Sequence, residues 1–311
     1  MRAKIIALGV WLLWAAAGAA DNIDYREANI EPGARSRALA GAFTAVSDDS
    51  SAAYSNPAGL SFIKKYELSV SYLKWHLDTS IQNIEAAFSL SPGSVLCAAV
   101  MYNGMGEVEN IDEYGYLTGE TIRPYALMVS AVYGAKVFDY YSEGSTIPGV
   151  SLSLGAGLKY LARDFNNSPE EPAVLMDAGG IFTFRNGAKI GVAVQNLGIH
   201  TQSTPPVNIK AGGGYKINSG LMNSFSLSAD IKYCIDGALT AAAGAEYSFA
   251  GNFFFRAGYA WESGRETEQG AVTGLSGGIG LNLMPVVIDY TVITAGGLGV
   301  NHIFSLRYRG K

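Results

Sequence analysis

The side chains best suited to ligate a metal or attack a substrate are three histidines, His76, His200 and His302, and two cysteines, Cys97 and Cys234. They are scattered, with none of the close spacings that mark a metal site. A single pair of cysteines makes no disulfide framework, so both are read as wall residues. Gly277-Gly278-Ile279-Gly280 falls inside an expected strand and lacks the strand–turn–helix context of a phosphate loop. No serine sits on a sharp strand-to-helix turn. These residues supply no catalytic constellation, no cofactor site and no metal site, so the expectation is a protein that is not an enzyme.

What remains is charge set in an apolar, alternating background. Glu85, Lys210, Asp230, Lys232, Glu246, Arg256, Asp289 and Arg307 each occupy the polar phase of an alternating run. A charge facing lipid costs several kcal/mol at mid-bilayer, whereas a wet interior tolerates it. These eight are therefore expected to face a lumen, as a structural polar network rather than a transport path. Asp48 and Asp49 could bind a cation, or close a gate through Lys210, Lys232, Arg256 or Arg307. The local reading is helix termination followed by N-capping from Ser50 or Ser51.

The elements that must position these charges are strands. Val207, Ile209, Ala211, Gly213, Tyr215 and Ile217 alternate with Asn208, Lys210, Gly212, Gly214 and Lys216, and 66–72 and 224–235 show the same period of two. Charged residues are only 16% of the chain, against about 25% in soluble domains. Candidate strands lie near 66–75, 80–90, 94–103, 123–137, 149–162, 173–185, 188–196, 206–217, 223–234, 238–249, 253–262, 271–283, 285–294 and 302–309, which makes fourteen. Most are long enough to cross a bilayer obliquely. Connections at 91–94, 185–188, 218–222, 250–252 and 284–285 are short, and Asn186-Gly187 signals a type I′ hairpin. Those at 104–122, 163–172, 197–205, 263–270 and 295–301 are longer, while 76–79, the region of Asp236 and 138–148 break the rule. Short turns on one side and long loops on the other is the outer-membrane pattern. Tyrosines towards strand ends, among them Tyr72, Tyr133, Tyr233 and Tyr259, fit interface girdles. The fold class expected is all-β: an antiparallel transmembrane barrel of about fourteen strands, with membrane lipids as its surroundings.

The start of the chain departs from this pattern. Residues 1–20 read as a cleaved Sec signal peptide, with basic Arg2 and Lys4, an uncharged 5–20 run and small residues at its end. Without Arg2 and Lys4, 20 basic residues face 27 acidic ones, a net charge of about −7 that argues against a nucleic-acid partner. Residues 21–63 form a hatch and 64–311 the barrel. Leu39, Ala42, Phe43 and Val46 recur at helical spacing. Asn56 is placed as an N-cap with Pro57 at the first helical position.

Gly33-Ala34-Arg35-Ser36, Gly41-Ala42, Asp48-Asp49 and Asn56-Pro57-Ala58-Gly59-Leu60 together resemble the N-terminal signature of the PorV/PorQ-type outer-membrane family, within the wider FadL-like superfamily. The resemblance implies an outer-membrane location and a plug whose hatch or gating residues are Arg35, Asp48, Asp49, Asn56, Pro57, Ala58 and Gly59. By its FadL side it implies passive uptake of hydrophobic small molecules such as long-chain fatty acids. By its PorV side it implies a binding or shuttle protein of a surface-secretion system, with a secreted-protein partner. An apolar pocket behind the hatch would favour the first, and a sealed polar lumen the second.

Overall fold

A computed structural model of the chain describes residues 24–75, 78–112, 114, 116–141, 148–201, 203–219, 222–263 and 273–310. The expected signal peptide, His76 and most of the 263–270 loop lie outside them. The strands are β1 (Tyr66–Lys74), β2 (Ser80–Ser91), β3 (Ser94–Gly104), β4 (Val108–Ile111), β5 (Leu117–Ile122), β6 (Tyr125–Tyr141), β7 (Pro148–Asp164) and β8 (Ala173–Phe184). They continue as β9 (Ala188–His200), β10 (Asn208–Ser219), β11 (Asn223–Cys234), β12 (Leu239–Phe249), β13 (Phe253–Glu262), β14 (Thr273–Leu283), β15 (Val286–Ala295) and β16 (Val300–Arg309). Fourteen of them form one closed antiparallel barrel, sealed where β1 meets β16 in register from Glu67↔Arg309 to Lys74↔His302. Closure leaves no open sheet edge for lipid to meet.

The alternation turns the usual protein inside out. In β1, Leu68, Val70 and Tyr72 point outward and stay exposed, while Glu67, Ser69 and Ser71 point inward and are buried. Ile84, Leu158, Ile231, Phe255, Ile279 and Phe304 extend the apolar outer face around the barrel. Tyr72, Tyr133, Tyr233, Tyr259 and Trp261 also face outward. An apolar exterior over a polar interior is what a membrane-crossing barrel requires. No helix among the described residues is long and apolar enough to cross a membrane.

Several local expectations are corrected. The 104–122 loop contains the separate β4–β5 hairpin. The long inner connection at 138–148 shrinks, because β6 runs on to Tyr141 and β7 starts at Pro148. The Asn186-Gly187 turn is not type I′, since within 185–187 only Gly187 has positive φ (88°). Its N–H donates to the Phe184 carbonyl (3.0 Å), giving a three-residue loop with glycine in the left-handed position. Leu39, Ala42, Phe43 and Val46 share no helix: the helix Ala34–Ala38 stops there, because Ala40 (φ 55°) and Gly41 (φ 81°) turn left-handed.

The N-terminal segment fills the bore. It starts near the long-loop end, where the Asp24 N–H donates to Thr204 O, and leaves at the short-turn end before β1. Along it lie a 3-10 turn at Arg26–Asn29, the helices Ala34–Ala38 and Ala52–Ser55, and a 3-10 turn at Pro57–Phe62. Its two sides meet different walls. Tyr54, Leu60 and Ile63 pack with Leu73, Val95, Met101, Met128, Val132, Leu161 and Leu175 of β1–β8 in one apolar cluster. Towards β9–β16 buried ion pairs concentrate, beside close contacts of Leu39, Ala40 and Val46 with Gly244, Gly258 and Gly214. The barrel therefore has a greasy wall that anchors the plug and a wet wall that it closes against.

Candidate functional site

The site is built where the plug's small residues let it touch the wall. Gly134, Gly155 and Gly179 stand opposite one another across β6, β7 and β8. A Cβ on Gly134 would lie 2.5 Å from Pro57 O, one on Gly155 would overlap Pro57 C and Ala58 N, and one on Gly179 would overlap Asn56 Oδ1. The three glycines make a flat bed for the turn that begins at Asn56. That turn forms as its sequence dictates: Asn56 Oδ1 accepts the Ala58 N–H (3.2 Å), with Pro57 at the first helical position. The Asn56 amide also donates to Thr44 O (2.8 Å) and to the wall carbonyls Gly180 O and Val192 O (3.3 Å each). Gly59 packs against Ser47, where a Cβ would clash. Asn56→Ala is expected to lower stability by about 2–3 kcal/mol, since it strands buried carbonyls and a buried N–H. The urea unfolding midpoint measures it.

On the wet wall, six charged groups close into a ring. Arg35 Nε donates to Glu246 Oε2 (3.0 Å), and Glu246 Oε2 also accepts from Arg256 Nε (2.6 Å). Arg256 Nη1 donates to Asp289 Oδ1 (2.6 Å), whose Oδ2 takes Arg307 Nη2 (2.7 Å). Arg307 Nη1 donates to Asp49 Oδ2 (2.5 Å), which returns to Arg35 Nη1 (3.2 Å). Asp48 adds an outer partner to Arg35. The wall supplies Glu246, Arg256, Asp289 and Arg307 from β12, β13, β15 and β16, and the plug supplies Arg35 and Asp49. Asp49 is buried between the Arg307 and Arg35 guanidiniums, which offset the cost of burying its charge.

The sequence expectations divide against this geometry. Of the basic partners considered for the aspartate pair, Arg307 reaches Asp49, while Arg35 of the plug itself reaches both. N-capping from Ser50 or Ser51 is corrected: neither side chain caps, and Asp49 Oδ1 instead accepts from Ser51 N–H (3.2 Å) and Oγ (2.5 Å). Among the described residues no cluster suits a metal ion. The eight lumen charges do not form one network. Four join the ring, while Asp230 stands apart, its Oδ2 accepting the Phe43 and Thr44 N–H groups (2.9 and 2.8 Å). Glu85 accepts from Ser50 Oγ and Asn83. Lys210 donates to Glu31 (2.5 Å), and Lys232 faces a cavity. Glu67, which takes both Ser50 N–H (2.7 Å) and Arg309 (2.7 Å), was missed, as was Arg163, which holds Asp24 (2.5 Å). Both occupy strand positions of inward phase, which was the available signal.

Two cavities flank the ring. An outer one of about 290 Å³ touches Glu31, Arg37, Gly41, Lys210, Lys232 and Ser276. An inner one of about 420 Å³ touches Arg35, Asp48, Glu246, Arg256 and Arg307 and continues to Lys64 and Lys216 at the short-turn end. Between them stand the helix Ala34–Ala38, tied to the wall by Ser305 Oγ accepting Ala34 N–H (3.0 Å) and Ser276 Oγ donating to Ala38 O (2.9 Å), and the ring itself. The outer cavity is mixed in polarity, neither the apolar pocket nor the sealed lumen set out above.

A protein-family model described as an uncharacterised protein family (UPF0164) matches residues 16–92, which span the plug, β1 and β2. No curated protein matches the chain. Among solved structures it is similar to the CymD monoaromatic hydrocarbon channel, at 10% identity and a TM-score of 0.60 over 92% of this chain and 98% of that one. It is similar also to the Ralstonia pickettii toluene transporter TbuX (13%, TM-score 0.57, 90% and 98%). The Pseudomonas putida toluene transporter TodX follows at 11% and 0.54 over 88% and 95%. At such identities the likeness is one of fold: a closed antiparallel barrel of the kind these channels have.

Proposed function

We propose that the chain is an outer-membrane channel for passive uptake of hydrophobic small molecules such as long-chain fatty acids, gated by its N-terminal plug and doing no catalysis. The observation that carries this reading is the pair of cavities on one side of the bore, with a short helix and a ring of ion pairs between them. A plug glued by apolar contact all round would be a permanent stopper. Here the greasy wall holds one side, while the other closes through charges that water can replace. The fold relatives, by name channels and transporters for aromatic hydrocarbons, agree with a hydrophobic cargo.

The test is oleate uptake into vesicles with a lipopolysaccharide outer leaflet, which slows the unaided crossing that plain bilayers allow. Vesicles bearing the full chain are expected to take up oleate several-fold faster than protein-free ones, and a variant lacking residues 34–60 faster still. Background rates from both proteins would remove the channel reading and leave the secretion-shuttle alternative, which needs no conducting bore.

A further inference from the structure

Buried polar groups almost always find partners, yet the outer cavity is lined by five residues that each keep a buried oxygen without one. These are Glu31 Oε2, Asn208 Oδ1, Asp230 Oδ1, Thr240 Oγ1 and Asn301 Oδ1. They come from five separate places, the plug and strands β10, β11, β12 and β16, and converge only through the fold. Lys232 lines the same cavity and makes no hydrogen bond or ion pair among the described residues. Trp75 and Tyr54 supply aromatic surface to it.

This pattern discriminates between ligand chemistries. A hydrocarbon would leave every one of these oxygens orphaned, at a cost for each. A carboxylate could accept from Lys232, from the Arg37 guanidinium and from the Thr240 hydroxyl, but it has no proton to give the oxygens of Glu31, Asp230, Asn208 and Asn301 and would add charge beside two carboxylates. A hydroxyl both donates and accepts, so several hydroxyls on one frame answer the acceptors and the ammonium together. The positively polarised C–H faces of such a frame also suit aromatic rings, whose faces are negative. At about 290 Å³, the cavity sits at the lower edge of the ~300–1,000 Å³ usual for small-ligand pockets. That is room for one sugar-sized group, not for a long-chain amphiphile entire.

We propose that the outer cavity binds a polyhydroxylated group, of sugar or glycerol type, as the head of an amphiphile whose apolar tail is what the bore conducts. The binding half stands on the cavity alone; the conduction half rests on the channel reading above. The test is calorimetric titration of the purified full-length protein, held in an amine-oxide detergent, with three probes: glucose, n-octyl-β-glucoside below its micellar concentration, and octanoate. Glucose and the glucoside are expected to bind, the glucoside more tightly, and octanoate to bind at least about tenfold more weakly than the glucoside, having no hydroxyl donor for the orphaned oxygens. Thr240→Val, which keeps the side chain's shape, and Asn301→Leu are each expected to weaken glucoside binding about tenfold, one buried hydrogen bond being lost in each. Retained heat-modifiable migration on gels shows that each variant is folded. Octanoate binding as tightly as the glucoside, no heat with any probe, or glucoside affinity unchanged in both variants would overturn the proposal. Glucoside binding together with background oleate uptake would keep the site and remove only the conducted tail.

Discussion

Gly155→Val is expected to turn the closed barrel into an open one. Gly155 faces the bore from β7, and any Cβ there must occupy the space of Pro57 C and Ala58 N, which are backbone atoms with no rotamer to yield. The strand itself accepts valine readily, since β-branched residues suit strands and Gly155 lies in regular pairing with Gly134 and Gly179. The wall therefore stays and the turn moves. As the turn lifts, the Asn56 amide loses Gly180 O and Val192 O, and the flat bed that seated the plug is gone. Overpacking of this kind costs roughly 1–3 kcal/mol, less than a barrel's ladder can bear but enough to shift a docked segment. Planar-bilayer recording is expected to show ion current at least ~10-fold above the parent, in line with the population shift that ~1.4 kcal/mol produces. Gly213→Ala is the control, because its Cβ would point outward with nothing nearer than Lys189 O at 4.0 Å. A Gly155→Val barrel as silent as the parent would show that the turn does not seal the pore.

Arg307→Met is expected to be the most destabilising change at the gate. The methionine fills much of the arginine's volume but leaves Asp49 and Asp289 each short of a guanidinium, in positions where their side chains are 1% and 0% exposed. Breaking a buried ion pair by removing one partner costs about 3–5 kcal/mol. The inner cavity reaches Arg307 and Arg35, so entering water offsets part of that and sets the expectation at about 3 kcal/mol. Adding Asp49→Asn should recover a portion, because it removes one of the two buried carboxylate charges left with a single guanidinium partner each. Urea unfolding of the single and double variants measures both. A loss below about 1 kcal/mol for Arg307→Met would mean the ring is screened like a surface pair and is no latch.

Much of the architecture was written locally. Period-two alternation is a property of adjacent residues, so the barrel class, the fourteen crossings and the outward tyrosines could be read directly. Asn56-Pro57 was legible for the same reason: capping is settled within three residues. The plug's fold was less so. Leu39 to Val46 has helical spacing, but left-handed Ala40 and Gly41 break it, and what drives that break is the wall, since Leu39 and Ala40 press on Gly244 and Gly258 from strands some 200 residues later.

The sequence by itself determined which residues face inward, because a charge in hydrocarbon is forbidden by its cost and alternation then places every neighbour. Only the tertiary structure decided which inward charges meet. Barrel closure brings β16 beside β1 and sets Arg307 over Asp49, a contact spanning 258 positions that no local pattern encodes. It also decided that three glycines from three strands would form one bed, and that five orphaned oxygens would share one cavity. Such convergence depends on register and on the path of the plug through the bore, which are set by packing and pairing over the whole barrel rather than by any residue's neighbours in the chain.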